Sequence, residues 1–151
     1  TLTLRKATTQ MPASQQDIEA TQTSINRVLC GGAIFPKLRF SLTEHAALDR
    51  LNDSRNSPLI SLDELAKAIL LTVQHHHQTI VSLRNNEQFT IEVLSSNLYI
   101  PCAKEVFDPP RSYSSGSSAM QSFQLKLQVA VKTMMRKVGF KSKDALILTI
   151  P

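Results

Sequence analysis

The sequence predicts an α+β fold: a two-layer sandwich with a mostly antiparallel sheet and about three helices on one face. Three observations carry that expectation. Phe123, Leu125, Leu127, Val129 and Val131 alternate with polar Gln124, Lys126, Gln128 and Lys132, which puts all five apolar residues on one face of a strand. Leu62, Leu65, Ile69, Val73, His76, Ile80 and Leu83 recur at three- and four-residue steps, the stripe of an amphipathic helix. The chain has 151 residues, 42% hydrophobic and 19% charged, with no Trp, two Tyr and six Phe, so it can bury one mainly aliphatic core. The expected organisation is one domain over 1–151 with a flexible Pro/Ser-rich loop at about 101–118.

Thr1 to Arg5 alternates and reads as a short edge strand. Ser14, with Asp17 three residues on, caps a helix whose Ile18, Ile25, Val28 and Leu29 share one face, with Gln, Glu, Asn and Arg on the other. Gly31-Gly32 is expected to end it in a left-handed cap. Lys37 to Leu42 alternates as a half-buried strand after Pro36. Ser41 to Glu44 resembles a capping box and opens a short helix to about Leu51, and Asn52 to Pro58 is turn-forming. Ser61-Leu62-Asp63-Glu64 caps the long helix, which runs to about Leu83 and stops at Asn85-Asn86. Strands follow at 89–93 and 98–100. From Pro101 to Ser118 come three prolines, one glycine and five serines, the composition of a connector. The 123–133 strand is next, and 145–150 reads as a last, more fully buried strand.

Charge is distributed unevenly. Residues 1–119 hold eleven basic and eleven acidic side chains. Residues 120–151 hold Lys126, Lys132, Arg136, Lys137, Lys141 and Lys143 against Asp144 alone, so the net +5 of the protein resides there. Lys126 and Lys132 fall on the polar face of the 123–133 strand, and the other four lie on its connection to the final strand. These six are the candidate polyanion-binding residues. The layout suits a polyanion, since neutralised phosphates release counterions, and equally suits anionic lipid headgroups; nucleic acid is placed before lipid as the expected ligand. Six phosphate contacts would cost about 10³ in affinity between about 50 and 200 mM salt. No recognition-helix, RNP, KH or zinc-finger pattern accompanies the charge, and lysines on an exposed strand also serve solubility.

Chemistry is sparse elsewhere. His75-His76-His77 cannot converge on one metal from a regular helix, since neighbours point about 100° apart. His76 falls on the apolar face, as a buried hydrogen-bonded histidine would. Cys30 and Cys102 lack CxxC spacing and read as reduced thiols of an intracellular domain. There is no GxSxG elbow and no glycine-rich phosphate cradle. The expectation is a non-enzymatic binding or assembly domain without cofactor or metal, of a size and charge that suit a structural component of a larger assembly. The alternative is a protein-interaction or homo-oligomerisation module pairing through exposed strands 123–133 or 1–5. An enzyme using His76 with a cysteine is the remaining class.

Overall fold

A computed structural model describes residues 13–32, 36–42, 49–53, 55–56, 58–107 and 126–151. Two helices and six strands are ordered along it: α1 (Gln15–Gly31), β1 (Leu38–Leu42), α2 (Leu62–Ser82), β2 (Gln88–Val93), β3 (Leu98–Phe107), β4 (Lys126–Val131), β5 (Met135–Arg136) and β6 (Ile147–Ile150). The fold is α+β, with two helices among the described residues where about three were expected. Of the short helix anticipated before Leu51, Arg50 and Leu51 are helical, and 43–48 lie outside the described residues. So do the proposed strand 1–5, residues 108–118 of the Pro/Ser-rich loop, and Phe123 and Leu125.

The sheet runs β1-β4-β3-β2-β6, with β5 also on β3. It is mixed rather than mainly antiparallel. β1 with β4 and β2 with β6 are parallel, while β3 opposes β2, β4 and β5. Strand alternation reveals which residues share a face but says nothing of direction, and only β2–β3 is joined by a hairpin. The register places Leu38, Phe40, Leu42, Leu127, Val129, Val131, Leu98, Ile100, Cys102, Phe89, Ile91, Val93, Leu148 and Ile150 on one face. All are buried in one cluster with Ile18 and Ile25 of α1 and Leu65, Ile69, Val73 and Ile80 of α2. That burial, at ~25 cal/mol per Å² of apolar surface, is the main cohesive term.

Local expectations fare unevenly. Ser14 and Asp17 form a full capping box, the Ser14 hydroxyl accepting from the Asp17 amide and the Asp17 carboxylate from the Ser14 amide. Gly32 closes α1 with φ −82° and ψ −179°, so the helix ends by extension rather than by a left-handed turn. α2 breaks at His76 (φ −128°, ψ 17°). Beyond the break the buried stripe steps from Val73 to His77 to Ile80, so His77, not His76, is the buried histidine. β6 alternates exposed and buried instead of being fully buried.

Residues 101–107, assigned to a flexible loop, are strand. Pro101 lies in β3 between β2 and β4, where a proline is tolerated only if nothing needs its missing N–H. The pairing supplies that condition. Cys102 faces Val131 and Tyr99 faces Met135, so β4–β5 carries one extra residue opposite Pro101, a bulge over 132–134. The Pro101 carbonyl still accepts from the Lys132 amide (2.9 Å) on that side.

Both outer strands are closed by helix side chains. On β1, the Asn26 amide accepts from Phe40 N (2.8 Å) and donates to Phe40 O (2.9 Å), and Gln22 accepts from Leu42 N (2.8 Å). Asn26, read as part of the polar face of α1, thus acts as a one-residue strand partner and is buried. On β6, residues 146 and 150 bond β2 through their carbonyls, which leaves the Thr149 carbonyl pointing outward; His76 Nε2 donates to it at 2.8 Å. β4 has β1 on one side and β3 on the other. Strand addition along 126–131 therefore has no free edge to use, which removes that route for the oligomerisation alternative.

Candidate polyanion-binding crossover

Of the six candidate basic residues, Lys132, Lys137, Lys141 and Lys143 are exposed and Arg136 is turned inward. After β5 the chain must cross β3 and β2 to reach β6, and it does so on the face away from the helices. Tyr99 and Thr90, whose parity is opposite to that of the core residues Ile100 and Ile91, anchor the crossing. Phe140 meets Tyr99 edge-on, ring centroids 4.9 Å apart. Thr90 donates to Asp144 Oδ2 (2.7 Å), its oxygen lies 2.6 Å from the Ser142 hydroxyl, and Ser142 in turn accepts from the Asp144 amide (3.1 Å). Thr90 is wholly buried, so this closed ring of hydroxyls and carboxylate fastens the crossover to the sheet.

Pinned in this way, residues 140–147 alternate: Phe140, Ser142, Asp144 and Leu146 are half-buried, while Lys141, Lys143, Ala145 and Ile147 are exposed. Lys141 and Lys143 project from the same side of extended chain, ~7 Å apart along it. Lys137 is exposed at the head of the crossover; its amide donates to Asn97 O (3.1 Å) and its carbonyl accepts from Phe140 N (3.4 Å). Gly139, with φ 74°, closes that turn in a backbone conformation that disfavours other residues. Lys132 is exposed in the bulge. None of these four lysines has a described carboxylate within ion-pair distance. Lys126 belongs to β4, and its side chain lies outside the described set.

Arg136 is placed differently. Its side chain is only 9% exposed and forms an ion pair with Glu64, in the first turn of α2. Nε donates to Pro58 O (2.8 Å), Nη1 to Glu64 Oε2 and Ser96 O (3.0 Å each), and Nη2 to Leu59 O (3.4 Å) and Glu64 Oε1. All five guanidinium protons are thereby used. The Arg136 amide also donates to Asn56 Oδ1 (2.9 Å). The residue ties the start of α2, Asn56, Pro58, Leu59 and the β2–β3 turn together, which leaves no proton for a phosphate.

No protein-family model, curated protein or solved structure matches this chain. The histidine triplet is occupied structurally: His77 Nε2 donates to Pro36 O (2.7 Å), His76 serves the β6 edge, and His75 is exposed. Among the described residues no three His, Cys, Asp or Glu side chains converge on a metal position. Burial, aided by the Asp144 charge, pushes the Cys102 thiol far above its ordinary range, which leaves it a poor nucleophile. No described helix is long and apolar enough to cross a membrane.

Two charged contacts, besides the Asn26 edge contact, have almost no signal in the sequence. Lys104 lies on the core face of β3, 2% exposed, and its ammonium donates to the Val81 and Leu83 carbonyls (2.7 Å to Leu83) at the C-terminus of α2. A cation there meets the negative end of the helix dipole, and burial lowers its pKa. The Arg136–Glu64 pair is the other. Its only sequence sign is that Glu64 belongs to a capping motif.

Proposed function

We propose that this chain is a non-enzymatic binding or assembly domain, a two-layer α+β sandwich that holds a phosphate-rich polyanion on its 137–143 crossover. The observation that carries the reading is the pinned crossover, on which Phe140, Ser142 and Asp144 face the sheet and Lys141 and Lys143 face outward. A fixed backbone lowers the ordering cost of each charge contact. Lys137, exposed at the head of the crossover, extends the cationic surface; Lys132, exposed in the bulge, and Lys126 stay candidates, and Arg136 is left out because its donors are internal.

The four exposed lysines, counted without Lys126, set the least salt response expected. With about 0.9 counterions released per phosphate, affinity should fall about 150-fold between about 50 and 200 mM salt. The test is fluorescence anisotropy with labelled single-stranded RNA, duplex DNA and heparin at both salt levels. Lys141→Glu combined with Lys143→Glu should weaken all three. Equal binding by wild type and the double variant overturns the reading.

A further inference from the structure

We propose that the polyanion is the surface of an anionic bilayer, entered by the tip of the 137–141 turn; this rests on the crossover being a polyanion site. Val138 is 81% exposed, more than any other exposed large hydrophobic residue among those described, Leu94 (60%), Val28 (59%) and Ile147 (40%). It sits between Lys137 and Gly139, with Lys141 just beyond, both lysines being exposed. A Cβ placed on Gly139 would meet no atom within 4 Å, so the side of the turn next to Val138 opens to solvent. Phe140 is held against Tyr99, which fixes the base from which the tip projects.

A nucleic-acid backbone rewards the lysines but offers nothing to an exposed valine. A bilayer rewards both, because lysines lie at the level of anionic headgroups while an aliphatic tip enters the acyl boundary beneath them. The valine therefore decides between two ligands that charge alone does not separate, and it reverses the order expected from sequence. Each lysine near the surface should contribute about fivefold to partitioning, and the valine about tenfold.

The experiment is co-sedimentation with vesicles of phosphatidylcholine alone and of phosphatidylcholine with about a third phosphatidylserine, heparin binding being measured in parallel. Wild type should sediment with the mixed vesicles only. Val138→Asn, an exposed change that leaves the fold intact, should lose about tenfold in partitioning and keep its heparin affinity. Lys137→Glu with Lys141→Glu should lose both. Heparin or RNA binding without vesicle binding overturns the bilayer assignment and leaves the polyanion reading standing. Binding to neither overturns both. Vesicle binding that Val138→Asn leaves unchanged, or equal binding to uncharged vesicles, also refutes the assignment.

Discussion

Asn26 provides the sharpest test of how this fold is held together. Its amide takes the place of a neighbouring strand for Phe40, which is 1% exposed, accepting at 2.8 Å and donating at 2.9 Å. In Asn26→Ala both Phe40 groups stay buried without a partner, at about 1–3 kcal/mol each. Better helix propensity returns only about 0.5 kcal/mol, so a net loss of about 2–5 kcal/mol is expected. With a urea slope of about 2 kcal/mol/M, the unfolding midpoint followed by circular dichroism should fall by about 1–2.5 M. Asn26→Asp makes the test chemically specific. The carboxylate still accepts from Phe40 N but faces Phe40 O with no proton to give. Protonated, it regains the shape and the donor of the asparagine. Its folded-state pKa is thus raised above the unfolded ~3.9, and the penalty present at neutral pH should shrink as pH falls through the folded value. A wild-type midpoint for Asn26→Ala, or an Asn26→Asp deficit that is constant with pH, would refute the edge-partner role.

Other expectations follow from the same geometry. Arg136→Ala should destabilise by about 3–5 kcal/mol, since it strands Glu64 and several carbonyls, and Arg136→Lys should recover little because an ammonium cannot fill a five-donor fork; thermal melts at low and high salt check both. Burial lowers the pKa of Lys104 below its ordinary 10.5. As pH climbs toward that value the unfolded chain binds a proton that the folded one releases, so this group should add stability at alkaline pH, and the increment should vanish in Lys104→Met when urea midpoints are compared pairwise from pH 8 to 10. A thiol reagent should modify half-buried Cys30 in the native protein and reach buried Cys102 only on unfolding, as read by mass spectrometry in and out of urea.

How much was legible in the sequence depended on the reach of the interaction. Leu127, Val129 and Val131 were read correctly because residue parity alone assigns them to a face, and the Ser14 box because all its partners lie within four residues. The parallel pairings were hidden, since β1 meets β4 across 89 residues between Leu38 and Leu127. His76 and His77 are both compatible with a stripe through Val73 and Ile80; the break at His76 decided between them. Arg136 looked like one basic residue among six because its partner Glu64 is 72 positions away. Pro101 looked like the start of a loop because the bulge that excuses it lies some thirty residues later. Asn26 failed for a different reason: a polar letter on a helix is assigned to water unless a strand edge is known to lie beneath it.

The position of β4 has a consequence for how the chain comes to be folded. It is the strand that joins the outer strand β1 to β3, yet it is drawn from the last quarter of the sequence. During synthesis β1 with α1, and the β2–β3 hairpin with α2, can each gather locally, but β1 cannot join the rest of the sheet until residue 131 has left the ribosome. Until then β1 and β3 each present an unpaired backbone that another chain could seize. Assembly should accordingly be slow for a chain of this length, limited by closing so long a loop, and nascent chains halted before 126 should be the form that chaperones retain.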